Sequence, residues 1–294
     1  MGSHHKTALI FAGGGSLGAI QVGMLKALAF HGVQPDLLVG SSVGAINAAY
    51  FAADPSPRGV AGLEAIWRSL TRDEVFHYSW FGLLRSLLSK RSHLFDEKVF
   101  VQFLSRRLPY RDFQEANVPI HIIASDFVSG EEVVLERGDI LPALLASAAI
   151  PGVFPPVKID GRYLIDGGVA NHTPVSTAIR LGATRLIVLP TGFTCEPVLP
   201  PTGALSIALH ALNLIIARQL LQDLEGHRDQ AEIAVVPPLC PLRTNPLNFQ
   251  AAGALIDDGF AATTSWLEQD GLNRCSSFEC LKQHLHSPQD TASV

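Results

Sequence analysis

The sequence predicts an α/β fold, and three observations carry that expectation. An apolar run, Thr7-Ala8-Leu9-Ile10-Phe11, leads into a glycine-rich turn and then a helical stretch from Ala19 to Phe30. A second run, Leu37 to Gly40, repeats the arrangement, passing through Ser41-Ser42-Val43-Gly44 into a helix that continues to Tyr50. Further short apolar runs then alternate with helical patterns, the element order of an α/β sheet. With 294 residues, 47% of them hydrophobic, the chain can bury a substantial core.

The middle of the chain is less regular. Leu63 to Leu70 reads as a helix containing Trp67. Between Trp80 and Phe103, Phe81, Leu83, Leu84, Leu87 and Leu88 are spaced for one helix face, beside Arg85, Lys90 and Arg91. Packing that face on the sheet is its expected use; a membrane-surface helix or a lid is the alternative. Pro119 to Phe127 reads as a strand, Ser129-Gly130 as a turn and Val133 to Leu135 as the returning strand. Ile140 to Ala149 reads as a helix stopped at Pro151. The proline-dense segment through Pro156 is expected to be rigid and extended.

Val157 to Ile159 and Tyr163 to Ile165 flank Asp160-Gly161, a strong hairpin-turn pair. Next come a helix from Val175 to Leu181, a strand from Arg185 to Leu189 and a long helix from Gly203 to Glu225. A strand, Ile233 to Val236, and a helix, Phe249 to Leu267, close the pattern. No internal repeat or linker is visible, so one domain over residues 7–269 is expected, with a polar tail over 270–294. Residues 1–6 read as an expression-tag remnant, expected to be disordered.

Composition excludes several classes. Only 17% of residues are charged and the net charge is -5, without the basic stripe of a nucleic-acid binder. The 4 cysteines are too few and scattered for a disulfide framework, and none has zinc-site spacing. No metal and no cofactor are therefore expected, and thiols of this kind suit a reducing, cytoplasmic compartment. No run approaches the roughly 18–20 apolar residues of a spanning helix.

The chemistry-bearing residues cluster at the turns. Gly40-x-Ser42-x-Gly44 has nucleophile-elbow spacing: the strand-to-helix turn is too crowded for side chains at the glycines, and Ser42 is pushed out at a helix N-terminus. Gly13-x-Gly15-x-x-Gly18, one strand earlier, has two readings. It matches a dinucleotide fingerprint, but that motif wants an acid at the end of the second strand, where Ser41-Ser42 stand; Asp36 precedes that strand. Alternatively its backbone N–H groups form an oxyanion hole beside Ser42. In Asp166-Gly167-Gly168 the glycines allow close backbone approach, so Asp166 can face a neighbouring group. Asp126 reads as a turn or network residue.

Taken in order, Gly13-Gly14-Gly15-x-x-Gly18, Gly40-x-Ser42-x-Gly44, the Ala146-Ser147 to Pro156 segment and Asp166-Gly167-Gly168 resemble the patatin-like phospholipase family. The resemblance covers roughly Thr7 to Leu189. It implies a three-layer α/β/α sandwich with a mostly parallel central sheet, and hydrolysis of lipid esters by a Ser-Asp dyad without a histidine. Carried over by motif, Ser42 is the nucleophile, Asp166 the base, and Gly13, Gly14 and Gly15 the oxyanion hole. Gly18, Gly40, Gly44, Gly167 and Gly168 support the motifs. The implied substrate is a lipid or small ester, met through peripheral membrane contact when it is a lipid. One departure is Leu17, where family members often carry a basic residue; ester hydrolysis is thus more secure than a phospholipid headgroup. The rival readings are a Ser-His-Asp triad using His172, His210 or His227, a nucleotide-binding module, and an inactive lipid-binding homologue.

Overall fold

Short buried runs become strands because both of their faces are covered. In the computed structural model the described residues are 5–75, 97–192, 204–240 (backbone alone over 204–213) and 248–273, with Leu242, Thr244, Phe278 and Leu281. The strands are β1 (Thr7–Phe11), β2 (Leu37–Ser41), β3 (Ile120–Asp126), β4 (Glu132–Leu135), β5 (Val157–Ile159), β6 (Arg162–Asp166), β7 (Arg185–Leu189) and β8 (Glu232–Val235). They form one sheet, in which β3-β2-β1-β7-β8 is a run of parallel neighbours. The helices are α1 (Gly18–Phe30), α2 (Val43–Ala53), α3 (Pro57–Ser69), α4 (Arg72–Val75), α5 (Glu97–Arg107), α6 (Ile140–Ser147), α7 (Val175–Arg180), α8 (Ala204–His227) and α9 (Ala252–Glu268).

Alternate strand residues feed two apolar layers. Leu9, Phe11, Leu38, Ile122, Ile187 and Leu189 pack with Ile20 of α1, Phe51 of α2, Leu63 of α3, Leu144 of α6 and Ile256 of α9. Ala8, Ile10, Val39, Ile123, Leu186 and Val188 point the other way, onto Val175 and Ala178 of α7 and Leu220 and Leu224 of α8. The result is the expected α/β/α sandwich.

The edge of β3 positions the site. Ile122 pairs with Gly40 of β2 on one side and with Leu135 of antiparallel β4 on the other. Ser125 likewise pairs with Glu132 of β4 and with Ile165 of antiparallel β6. So β2 and β6 share one edge of β3, end to end. Ser41↔Ile123 and Asp166↔Ala124 are consecutive rungs. The last residues of β2 and β6 therefore meet, about 3.3 Å apart along β3.

Several local expectations change. The segment after α6 is a turn rather than an extended crossing: the N–H groups of Val153 and Phe154 both return to Ile150 O, at 2.9 and 3.0 Å. Proline fixes its own φ but does not prevent the neighbouring N–H groups from closing a turn. Cys240 is disulfide-bonded, against the reading of the cysteines as thiols, and the compartment inferred from them loses that support. The other three cysteines lie outside the described residues, as does the Phe81 to Leu88 stretch of the amphipathic pattern. The helix expected from Trp80 to Phe103 is described only from Glu97, in α5.

At the first turn of α2, a Cβ on Gly44 would lie 2.5 Å from the carbonyl oxygens of both Phe11 and Ala12. Alanine normally gains about 1 kcal/mol over glycine in a helix, whereas overpacking against rigid backbone costs about 1–3 kcal/mol. Gly44→Ala is therefore expected to destabilise the protein by about 1 kcal/mol net in urea denaturation; a raised midpoint would refute the packing argument.

Candidate active site

Ser42 is the residue between β2 and α2, with φ 54° and ψ -127°. A non-glycine residue in that region carries about 1–3 kcal/mol of strain and persists only where its surroundings hold it. Ser147, at the end of α6, supplies one hold. Its Oγ accepts the Ser42 N–H at 2.8 Å and donates to Ile123 O at 2.6 Å.

The strained turn presents Ser42 Oγ to Asp166, and the hydroxyl donates to Asp166 Oδ2 at 2.7 Å. The other carboxylate oxygen, Oδ1, accepts the Gly168 N–H at 2.8 Å. Asp166 is fixed through its backbone as well. Its N–H donates to Ala149 O at 3.0 Å, and its carbonyl accepts from the buried Ser125 Oγ at 2.8 Å. The short segment Ser147 to Ala149 thus holds both partners. Burial raises the Asp166 carboxyl from 3.8 to about 6, against the lowering effect of the bonds from Ser42 and Gly168. Asp126 shows the opposite environment: the Ser129 N–H, Arg162 and the Val128 N–H hold it down at about 2, as a network residue.

The backbone groups of Ala12, Gly13 and Gly14 can be followed one by one. Ala12 N–H donates to Leu189 O at 3.2 Å, and Ala12 O accepts from Gln21 Nε2 at 2.9 Å. Gly13 N–H donates to His172 O at 3.1 Å, Gly13 O accepts from Thr191 Oγ1, and Gly14 O accepts the Leu17 N–H at 3.2 Å. Among the described residues nothing takes the N–H of Gly14 or Gly15. The expected set of oxyanion donors is thereby narrowed: Gly13 N–H is already committed. Beneath the loop, Gln21, Asn47 and Trp67 form a buried relay. Asn47 Nδ2 donates to Gly18 O and Gln21 Oε1, and Trp67 Nε1 donates to Asn47 Oδ1.

Trp67 also lines a pocket that opens at Ser42. It has about 670 Å³ of space not filled by atoms, part of it open to solvent. Its walls are almost wholly apolar: Ile46 and Tyr50 follow Ser42 along one stripe of α2, facing Leu63 and Trp67 of α3, Phe100 and Phe103 of α5, and Ile150 and Phe154 after α6. Phe100 and Phe154 stack at 5.3 Å, and Trp67 stacks on Phe249 at 6.5 Å.

Of the candidate histidines with described side chains, His172 is the one that stands at the glycine loop. Its ring lies against the backbone of Gly13 and Gly168, where burial lowers it to about 4 and keeps it neutral. Its ring nitrogen Nδ1 sits 3.3 Å from Thr173 Oγ1. His227 Nδ1 is bonded to Asp223 O, and the His210 side chain lies outside the described residues.

A model of the patatin-like phospholipase family matches residues 9–179, which contain every one of these motifs. The chain belongs to the patatin-like phospholipase family. Mouse patatin-like phospholipase domain-containing protein 7 is 28% identical over 205 residues, 67% of this chain and 14% of its own length. An uncharacterized NTE family protein of Mycobacterium bovis is 30% identical over 188 residues, 64% of this chain and 49% of its own. The chain thus spans about half or less of these relatives. Among solved structures, human GIVD cytosolic phospholipase A2 aligns with a TM-score of 0.47 at 9% identity, over 95% of this chain and 63% of its own. VipD from Legionella pneumophila aligns at 0.45 and 15% identity, over 91% and 67%.

For this patatin-like chain, sequence reasoning gave Ser147 no role beyond its motif and gave none to Ser125, Thr191 or Gln21. Single small polar residues at strand and helix ends carry no local signal; only their buried contacts reveal them.

The raised Asp166 has a consequence for stability. Unfolded, the carboxyl releases its proton near 3.8; folded, it keeps it to about 6. Stability is therefore fully present below the lower value and is lost as pH rises through the higher one. Asp166→Asn removes that loss. The variant is expected to exceed the wild type by about 3 kcal/mol at pH 7.5, at 1.36 kcal/mol per tenfold change in proton affinity. The gap should close near pH 4. Urea denaturation at both pH values checks this, and a gap that does not depend on pH contradicts it.

Proposed function

We propose that the protein is a serine acyl hydrolase acting on carboxylic esters of lipids through Ser42 and Asp166. The observation that carries this reading is the 2.7 Å hydrogen bond from the strained Ser42 hydroxyl to a buried carboxylate, at the mouth of an apolar pocket. The acyl chain lies in that pocket along Ile46 and Trp67, with its ester carbonyl at Ser42. Asp166 accepts the Ser42 proton as Oγ attacks the carbonyl carbon. The tetrahedral oxyanion is stabilised by Gly14 and Gly15 N–H, where one such donor is worth about 3 kcal/mol. The proton passes to the leaving alcohol, and a water activated by Asp166 then hydrolyses the acyl-enzyme.

Desolvation makes the carboxylate a stronger base than one in water, which suits it to act without a histidine. A lipid substrate brings the protein to a membrane surface; no described helix is long and apolar enough to cross one. Leu17 offers no charge to a headgroup, so recognition of the acyl chain and ester dominates. The nucleotide-binding reading draws no support from the loop, since β2 ends in Ser41 without a ribose-binding acid.

A fluorophosphonate probe should label the wild type and leave Ser42→Ala unlabelled, with loss of p-nitrophenyl butyrate hydrolysis. Labelling of the alanine variant would remove Ser42 from the mechanism. The kcat/KM profile should rise to a plateau with a midpoint near pH 6, the Asp166 value. His172→Gln should keep that limb and lose less than about tenfold; a loss of several orders of magnitude would restore the triad. Ile46→Trp should weaken hydrolysis of long-chain esters more than of butyrate, measured as the ratio of their kcat/KM values.

A further inference from the structure

The glycine loop is built from the residue type least able to hold an orientation by itself. The peptide unit between Gly13 and Gly14 has glycine on both sides, and Gly14 sits at φ 148°. An unrestrained unit there can swing about its flanking bonds. Thr191 prevents this. Its hydroxyl donates to Gly13 O, the residue is 4% exposed, and a Cβ on Gly14 would come within 2.6 Å of Thr191 Cβ. The residue lies just past β7, beyond the matched residues 9–179.

In a planar trans peptide the C=O and the following N–H point in opposite directions. A hydroxyl that draws Gly13 C=O to one side therefore turns Gly14 N–H to the other. Gly13 itself is packed on the nucleophile, since a Cβ there would lie 3.3 Å from Ser42 Cβ. We propose that Thr191 is a positioning residue that aims the Gly14 N–H at the oxyanion formed on Ser42. This rests on the acyl-hydrolase reading above. The hydroxyl touches no reacting atom; it acts through the peptide it holds. Because the oxyanion exists only after attack, correct aim stabilises the transition state and leaves substrate binding unchanged.

The test compares Thr191→Val, which keeps shape and loses the hydroxyl, with Thr191→Ser, which keeps the hydroxyl, using p-nitrophenyl butyrate. Circular dichroism and thermal unfolding establish that each variant is folded; Thr191→Ala replaces the valine variant should the latter not fold. The valine variant is expected to lose about 10- to 100-fold in kcat at unchanged KM, short of the roughly 10²–10³ for deleting an oxyanion donor outright. The serine variant is expected to recover to within about threefold of wild type. A valine variant with wild-type kcat, or a serine variant as impaired as valine, overturns the inference. Ser42→Ala, assayed alongside, separates the two levels: retained hydrolysis there sinks the acyl-hydrolase reading itself, whereas loss there with full kcat in Thr191→Val sinks only the role of Thr191.

Discussion

Strand β3 outruns its parallel neighbour β2, and the overhang sets where Asp166 can stand. β2 occupies the edge of β3 as far as Ile123, and β6 takes up the same edge at Ala124. Two strands that end against each other on a third have little freedom in their separation, because ladder spacing is fixed by backbone geometry. The short bond between Ser42 and Asp166 follows from that spacing together with the turn at Ser42. Ser147 and Ala149 then tie both ends to one segment, so Ser42 and Asp166 are held to a common support.

The same geometry sets a chemical tension. A carboxylate held out of water is more basic, but its ionised form is costly to bury. Here two donors, Ser42 Oγ and Gly168 N–H, offset part of that cost. The nearby His172 is kept neutral by its own burial and contributes no positive charge that would pull Asp166 back toward its ordinary value. The result is a carboxylate whose proton affinity is set by exclusion of water rather than by a charged partner.

Much of this was legible in the sequence because it is local. Gly40 is forced by a turn whose crowding comes from Gly44 and Ala45 just beyond it, and Asp160-Gly161 closes its hairpin with both residues at positive φ, 48° and 81°. Asp166 was legible through its flanking glycines: a Cβ on Gly167 would run into the Ile123 carbonyl and Ser41 Oγ. Ser147 and Thr191 were not, because they act across 105 and 178 residues of chain on peptide groups with no side chain of their own. The proline-dense segment misled because φ values alone do not decide between an extended path and a turn. The disulfide at Cys240 escaped notice because spacing in sequence says little about proximity in space.

The origin of Asp166 in an antiparallel hairpin has an implication for how the chain becomes competent. Ser42 belongs to an early βα unit whose turn, strand and helix are contiguous. Its partner is 124 residues away and arrives only when β5 and β6 dock on the free end of β3. On the proposed chemistry, a chain that has assembled its parallel sheet but not seated this hairpin exposes a serine with no base, harmless to surrounding lipids. Onset of hydrolysis would then require the β5–β6 hairpin to be seated on β3.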